Sequence, residues 1–466
     1  MNFFASKKNQ KTAVLTPITA SALEKWASEQ DSKTANWIAA SGFRAGIGKS
    51  LLLSGEEGEL LQVLVGVGET LGIWDLAGLP HKLPEGSYEI DESITKSWTE
   101  DQFDQACFSW ALGHYRDRRF KSEQSAKKIS QLVWPKKANE KFVKAAVEGT
   151  QLARDLINAP TNKLGPAELA KAAQDLAESH NADVKTIVGK ELLKENYPAI
   201  YVVGQAVDQK KRAPRLVDFS WGKSGPKITL VGKGVCFDTG GLNLKSAAGM
   251  STMKKDMGGA AQVLGLASMI MAMDLKVQLR VLIPTVENSV NGDAYRPQDV
   301  IDTRKGLTVE IGNTDAEGRL ILSDALTEGS SEKPDLIVDF ATLTGAARVA
   351  LGTDLPALFC NDDKVAAQLQ ELSNNVQDPL WRMPLHQPYK KNLSSPFADL
   401  NNISPGGYGG AITAALFLEH FVEPGVSWVH IDLMAWNLKS TPGRPVGGEA
   451  MGVRALYALI SEMAAQ

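Results

Sequence analysis

The pattern that most constrains the fold is an alternation of short apolar runs and helical segments from about residue 166 to the end of the chain. The apolar runs predict strands, and the segments between them predict helices. The predicted strands are residues 200–204, 227–232, 277–283, 335–340 and 428–433, and the predicted helices are 257–274, 319–328 and 411–420. Such alternation is typical of a largely parallel sheet covered by helices, with ligand sites outside the carboxyl ends of its strands.

The first third of the chain is mixed and carries few residues of catalytic character. Residues 60–66 predict a strand, and residues 98–115 and 139–158 predict helices. A cluster of helix-breaking residues from Asn158 to Pro166 follows the second helix. We therefore predict a smaller N-terminal α/β domain (1–135), a connecting helix and linker (136–165), and a larger C-terminal α/β domain (166–466) with a central, mainly parallel sheet.

Composition excludes several classes of protein. The formal net charge is -4 and the pI is about 6.0, which does not indicate nucleic-acid binding. Three scattered cysteines do not make a disulfide framework. The N-terminus has no secretory pattern, and we expect no stretch with the ~18 apolar residues that span a bilayer. The sequence thus predicts a cytoplasmic protein with no membrane partner.

Lysines and carboxylates concentrate in three segments of the larger domain. Asp315 and Glu317 are two residues apart, so in an extended stretch they would face the same way, and Arg319 would continue that face. Asp256 precedes a helix rich in small residues, where an N-cap is the simplest structural role. The complete set is Lys233, Asp238, Lys245, Asp256, Asp315, Glu317 and Arg319.

Taken together, the four acids predict a metal site. Clustered carboxylates repel one another and are costly to bury unless cations neutralise them, which two divalent metal ions would do. Oxygen ligands without a cysteine pair or an HExxH motif suit Zn²⁺, Mn²⁺, Co²⁺ or Mg²⁺.

One segment resembles the signature of a known family. The octapeptide Asn313-Thr-Asp-Ala-Glu-Gly-Arg-Leu320 matches that of the leucine (cytosol) aminopeptidases. Other motifs of that family occur in the same order and spacing, so that the resemblance covers about residues 160–460. These motifs are Val231-Gly-Lys-Gly234, Phe237-Asp-Thr-Gly-Gly241, Lys255-Asp-Met-Gly-Gly-Ala-Ala261, Ala341-Thr-Leu-Thr-Gly345 and Tyr408-Gly-Gly-Ala-Ile-Thr-Ala-Ala415.

The resemblance implies a role for each site residue. Asp238 and Glu317 would bridge two metal ions, Zn or Mn, with Lys233 and Asp256 at the tighter site and Asp315 at the more exchangeable one. Lys245 would stabilise the developing oxyanion, and Arg319 would hold a bicarbonate ion acting as general base. The substrate-binding residues implied are Met253, Asn313, Ala316, Thr342 and Leu343, the last through its backbone N–H.

The same resemblance implies an activity. Two metal ions would lower the pKa of a bridging water, and the resulting hydroxide would attack the first peptide bond of a peptide with a free N-terminus. Leucine and other apolar residues would be released, and the protein would form a homohexamer. The loop 246–252 departs from the commonest family pattern, which puts side-chain preference in doubt but not catalysis.

Two other functions stay open from the sequence. A two-metal phosphoesterase also uses carboxylate clusters, although the His–Asp motifs usual there are missing. DNA binding, in addition to or instead of peptidase activity, would need a local basic surface that the net charge does not reveal.

Overall fold

The structure is a computed structural model that describes residues 2–9, 11–122 and 129–466. The chain divides into two compact units. The first contains residues Met1–Val147 and Lys439–Val446, and the second contains Glu148–Leu438 and Gly447–Gln466. The three-part division drawn from the sequence stays a prediction.

Among the residues that the structure describes, the first unit is built on a six-stranded sheet with three α-helices and a 3-10 helix at Thr95–Ser97. Its strands are β1 (Phe4–Ala5), β2 (Ala13–Ile18), β3 (Ser50–Ser54), β4 (Leu60–Gly66), β5 (Gly86–Ile90) and β6 (Ser130–Val133), and its helices are α1 (Leu23–Ser28), α2 (Ser32–Ser41) and α3 (Glu100–Gly113). The strand order is β1-β6-β5-β2-β4-β3, parallel except for the β3–β4 pair. Helix α3 begins with a capping box of Thr99 and Gln102, which satisfies two of the N–H groups that a helix start leaves free.

The second unit contains the remaining strands and helices, and α4 (Glu140–Asn158) runs across the boundary at residue 147. The strands are β7 (Asp183–Val188), β8 (Arg215–Trp221), β9 (Lys227–Gly232), β10 (Gly234–Asp238), β11 (Gln278–Asn288), β12 (Val300–Asp302), β13 (Thr308–Glu310), β14 (Leu336–Ala341), β15 (Ala357–Cys360), β16 (Trp381–Arg382), β17 (Leu400–Asn401), β18 (Trp428–Asp432), β19 (Trp436–Asn437) and β20 (Gly447–Gly448). The helices are α5 (Pro166–Ser179), α6 (Glu191–Lys194), α7 (Pro198–Gly204), α8 (Ala247–Met250), α9 (Gly258–Met273), α10 (Gly318–Ser331), α11 (Gly345–Leu351), α12 (Asp363–Asn375), α13 (Gly410–Glu419) and α14 (Val453–Ala465), with 3-10 helices at Met253–Met257 and Gln387–Leu393.

A nine-stranded, mainly parallel sheet forms the centre of this unit, as the sequence predicted. Its order is β16-β15-β18-β14-β9-β11-β8-β7, with β10 paired to β11. The pairs of β14 with β9 and β18, of β11 with β9 and β10, and of β15 with β16 are parallel. The pairs β15–β18, β11–β8 and β7–β8 are antiparallel. Every residue of β14 is buried, as expected of a strand covered on both faces.

Helix α9 packs directly against the sheet. A Cβ atom on Gly259 would lie 2.0 Å from the backbone oxygen of Phe340 in β14, so only glycine fits there. Most of the side chains of α9 are buried. This close approach places the segment before α9 beside the carboxyl ends of β9 and β14.

One predicted strand is wrong, because residues 200–204 belong to helix α7. Pro198 stands in the first turn of this helix, a position that suits its fixed φ and missing N–H. The N–H groups of Ala199 and Ile200 donate to the buried Asp324 Oδ2 at 2.9 and 3.2 Å. Capping by a distant carboxylate therefore outweighs the strand preference of the apolar run.

The sequence also predicted that no stretch is long and apolar enough to span a membrane. Judged by length and composition alone, this prediction is wrong. The helical stretch Met253–Met273 passes that test, but 83% of its most apolar window is buried inside the protein. It includes α9, whose apolar side chains build the core beside the sheet. This degree of burial is typical of a helix in the core of a protein.

Candidate active site

The predicted site residues meet at the carboxyl edge of the central sheet. Lys233 follows β9 directly, and Asp238 ends β10. Asp256 lies in the 3-10 helix before α9, and Glu317 is the residue before α10. Parallel strands bring these ends together, which is where such sheets form their ligand sites.

Asp315 and Glu317 do not lie in an extended stretch, so that part of the sequence interpretation is wrong. Residues 314 and 315 form a turn, and Glu317 already has helical backbone angles, φ -74° and ψ -35°. The glycine at 318 permits this helix start, since a Cβ there would lie 2.5 Å from Lys233 Cε. An oxygen atom of the Asp315 carboxylate nevertheless lies within 4.8 Å of one of the Glu317 carboxylate.

Two lysines lie among the four carboxylates. Lys233 Nζ is 2.8 Å from Asp256 Oδ2 and 2.9 Å from Glu317 Oε1, and all three side chains are at most 3% exposed. Lys245 Nζ is 2.8 Å from Asp238 Oδ2 and 2.5 Å from Asp315 Oδ1. Asp256 is therefore an ion-pairing residue of the cluster rather than an N-cap, since α9 has no side-chain cap.

Burial and mutual repulsion change the protonation of this cluster. Burial, followed by the charge of Asp238, raises the pKa of Glu317 to about 8. Burial, followed by the charge of Asp256, raises the pKa of Asp238 to about 6. Burial opposes the charge of Lys233, but Asp256, Glu317 and Asp238 outweigh it and raise its pKa. Without further positive charge, Glu317 thus keeps its proton near neutral pH, and Asp238 ionises less readily than an exposed aspartate.

The donor set fits a divalent metal ion. Asp238, Asp315 and Glu317 each offer an oxygen atom, and these three atoms lie within 4.8 Å of one another. Glu317 Oε2 is buried and has no hydrogen-bond partner among the residues that the structure describes. Hard oxygen donors of this kind suit Mn²⁺, Mg²⁺ and Zn²⁺, and a metal ion would replace the missing positive charge.

Neighbouring residues orient these carboxylates. Asn288 Nδ2 and the Gly240 N–H both donate to Asp238 Oδ1 at 2.8 Å. Thr342 Oγ1 donates to Asp256 Oδ1 at 2.8 Å and to its backbone oxygen at 3.0 Å. Sequence reasoning missed Asn288, although a polar residue at the carboxyl end of the apolar strand β11 was the available signal.

A second amide, Asn402, holds the octapeptide loop. Its Oδ1 accepts from the N–H groups of Gly312 and Asn313 at 2.8 and 3.2 Å. Its Nδ2 donates to the backbone oxygens of Asn313 and Ala316 at 2.8 and 3.4 Å. Asn402 is fully buried and lies outside every motif noted in the sequence, so nothing there indicated this role.

Arg319 is buried in the first turn of α10. Its Nη1 donates to the Asn402 backbone oxygen at 2.6 Å, while its Nε has no hydrogen-bond partner in the described part of the chain. Burial lowers its pKa to about 10, opposed by the charges of Glu317 and Asp432. The guanidinium remains charged at neutral pH and keeps a free donor for an anion.

The residues predicted to bind substrate surround the same edge. Met253 is in the 3-10 helix with Asp256, and Asn313 Oδ1 accepts from the Asp315 N–H at 2.8 Å. The Leu343 N–H donates to Asp432 Oδ1 at 3.0 Å, so in this geometry a carboxylate already uses it. The substrate-binding roles of these residues, of Ala316 and of Thr342 stay predictions.

Comparison with known proteins decides the family. A sequence model of the catalytic domain of the cytosol aminopeptidase family matches residues 151–457, and a model of the M17 aminopeptidase N-terminal domain matches residues 14–135. The chain belongs to the cytosol aminopeptidase family. The resemblance stated from the octapeptide is confirmed, and this aminopeptidase is a metal-dependent exopeptidase, a hydrolase.

Several relatives resemble the aminopeptidase over most of its length. A probable cytosol aminopeptidase of Prochlorococcus marinus (strain MIT 9312) is 38% identical over 426 residues, covering 88% of this chain and 83% of its own. The crystal structure of a cytosol aminopeptidase from Coxiella burnetii is 45% identical with a TM-score of 0.94 and covers 99% of both chains. The bottromycin maturation enzyme BotP in complex with Mn is 30% identical with a TM-score of 0.87, covering 97% of this chain and 100% of its own. The family therefore favours a peptidase over a phosphoesterase.

Proposed function

We propose that this aminopeptidase releases leucine and other apolar N-terminal residues from peptides, using two divalent metal ions held by five residues. The observation that carries the proposal is the cluster of four carboxylates around Lys233 Nζ and Lys245 Nζ, of which all but Asp315 are buried. Asp238 and Glu317 would contact both ions, Lys233 and Asp256 would complete one site, and Asp315 the other.

The bound ions would supply a water of lowered pKa, available as hydroxide near neutral pH. Lys233 would have to be neutral to act as a ligand, so its ammonium would lose a proton to solvent on metal binding. Lys245 is 16% exposed, in contrast to the 3% of Lys233. Its ammonium is thus the one that can reach a substrate carbonyl and stabilise an oxyanion there.

Arg319 would hold a bicarbonate ion as general base through its free donor. We propose manganese or zinc as the metal. The structure of BotP in complex with Mn supports manganese. We further propose a cytoplasmic homohexamer.

The first test is hydrolysis of leucine p-nitroanilide by purified protein that has been treated with a chelator and then given Mn²⁺ or Zn²⁺. We expect activity to vanish with the chelator, to return with metal and to fail on the N-acetylated substrate, since the free α-amine would be recognised. Metal analysis should give two ions per chain. A single ion per chain in fully active protein would contradict the two-metal proposal.

A matched pair of variants tests whether Glu317 is a metal ligand. Glu317→Gln removes a proposed ligand at the start of α10, whereas Glu332→Gln neutralises an acid that is 63% exposed at its end. We expect the first variant to lose metal and activity and the second to keep both. Equal metal content in the two variants would refute the assignment of Glu317.

A further inference from the structure

The loop that leads to Lys245 lies directly on the octapeptide loop. Gly240 and Gly241 turn the chain after β10 with φ angles of 88° and 62°, which residues with a side chain rarely adopt. A Cβ atom on Gly241 would lie 2.9 Å from Thr314 Oγ1, closer than a Cβ atom normally approaches another group. The two glycines thus bring the segment before Lys245 into contact with Thr314, the residue before Asp315.

Asn243 and Thr314 join the two loops by hydrogen bonds. The Asn243 N–H donates to Thr314 Oγ1 at 2.8 Å, and the Thr314 N–H donates to Asn243 Oδ1 at 2.9 Å. The Thr314 hydroxyl lies 2.6 Å from the Gly240 backbone oxygen and 3.1 Å from Asn243 Oδ1, and either oxygen can accept its proton. Thr314 is fully buried, whereas Asn243 is exposed. The exposed asparagine therefore ties its loop to a buried point of the octapeptide.

This pair is the main attachment of the Lys245 loop. In the part of the chain that the structure describes, each hydrogen bond from residues 240–245 to another segment ends on Thr314, apart from the ion pairs of the Lys245 ammonium. The remaining hydrogen bonds of the loop are local, such as that from the Lys245 N–H to the Thr239 oxygen at 2.9 Å. Without the pair, the backbone of the loop would lose its link to the octapeptide.

The octapeptide loop, by contrast, is also held from other directions. The Tyr295 hydroxyl and Asn288 Nδ2 donate to the Thr314 backbone oxygen at 2.7 and 3.0 Å. Asn402 holds the backbone on either side of Thr314, through Asn313 and Ala316. Loss of the Asn243–Thr314 hydrogen bonds should therefore free Lys245 and leave the proposed metal ligands in place.

We propose that Asn243 is a positioning residue for Lys245 in the aminopeptidase reaction. Through Thr314 it fixes the loop so that the Lys245 ammonium stays at the edge of the carboxylate cluster, 2.5 Å from Asp315 Oδ1. A cation that is already in place stabilises a developing oxyanion without having to move during the reaction. The inference rests on the proposed role of Lys245 and adds a residue that is neither a proposed ligand nor a pocket residue.

The first experiment measures kcat, KM and metal content of metal-loaded Asn243→Ala with leucine p-nitroanilide as substrate. We expect kcat to fall by on the order of 10- to 100-fold, because a small displacement of a reacting group is costly in rate. KM and metal content should stay near those of the wild type. Thr314→Val removes the hydroxyl of the same pair and should lower kcat as well.

Asn291→Ala is the matched control. Asn291 is an exposed asparagine in the loop after β11, and in the described ranges its side chain accepts from the Gly292 N–H alone. We expect this variant to keep the kcat of the wild type. Hydrogen exchange of metal-free protein adds a readout without turnover, because the Thr314 N–H should exchange faster in Asn243→Ala than in Asn291→Ala.

A double variant separates positioning from a general effect on the loop. If Asn243 acts through Lys245, then Asn243→Ala should hardly change turnover in the Lys245→Ala background, since no ammonium is left to position. An asparagine that stabilises the loop for another reason would lower kcat by the same factor in both backgrounds.

Three outcomes would overturn the inference. They are an unchanged kcat in both Asn243→Ala and Thr314→Val, an equal loss of kcat with and without Lys245, and a raised KM at unchanged kcat, which would make Asn243 a substrate contact. Failure of the proposed function looks different, because the metal-loaded wild type would then leave leucine p-nitroanilide intact.

Discussion

Thr342 offers a sharp test of how the metal site is held. Replacing it with valine keeps the shape of the side chain and removes the hydroxyl that donates to Asp256 Oδ1 at 2.8 Å and to its backbone oxygen at 3.0 Å. A hydrogen bond to a charged group contributes about 1.5–3 kcal/mol. Loss of such an orienting partner typically weakens metal affinity by about 10- to 100-fold. That range corresponds to about 1.4–2.7 kcal/mol, in agreement with the bond lost.

Thr342→Val is best assayed by competition with a chelator of known affinity, followed by kinetics at saturating metal. We expect metal affinity to fall by on the order of 10- to 100-fold, with KM for leucine p-nitroanilide nearly unchanged once metal is saturating. Thr342→Ser keeps the hydroxyl and should behave as the wild type. If Thr342→Val raises KM and leaves metal affinity intact, Thr342 binds substrate directly and the argument from its hydrogen bonds is wrong.

Further perturbations test the charges of the same unit. Lys245→Ala should lower turnover strongly while metal content, measured by elemental analysis, stays near two ions per chain; loss of metal would instead make it structural. Because burial raises the pKa of Glu317 from 4.5 to about 8, the unfolding free energy of chelated protein should fall as pH rises through that window, and metal affinity should rise across it. Glu317→Gln should remove this slope from thermal denaturation, and a slope that persists would contradict the assignment. Arg154→Met removes the positive charge beside the buried Glu449 carboxylate, whose Oε1 is 2.8 Å from Arg154 Nη2, and should cost about 3–5 kcal/mol in chemical denaturation; a loss below about 1 kcal/mol would show that the hydrogen bonds from Asn437 Nδ2 and the Ala450 N–H suffice to hold the carboxylate.

The catalytic half of the fold could be predicted because its signals are local. The strand predicted at residues 227–232 is β9, and the helix predicted at residues 257–274 is α9 with its ends shifted by one residue. Lys233 and Asp238 could be placed together because strand ends of a parallel sheet share one edge. Short motifs of adjacent residues were therefore enough to predict both the central elements of the fold and the proposed ligands.

The failures came from contacts between residues far apart in sequence. The run 200–204 has strand character, but the carboxylate of Asp324, more than a hundred residues later, accepts from the first N–H groups of the helix that it forms. Asn402 was missed because an asparagine shows its partners only in three dimensions, whereas Asn288 had a local signal in its position at the end of β11.

The position of Asn402 also bears on how the protein is made. A ribosome synthesises every proposed metal ligand by residue 317, yet the amide that fixes the loop around Asn313 and Ala316 arrives 85 residues after that. The Asp432 carboxylate that fixes Leu343 comes later still. A nascent chain that ends between these points carries the ligands without their final arrangement. The metal centre is therefore among the last parts of the catalytic unit to be completed during synthesis.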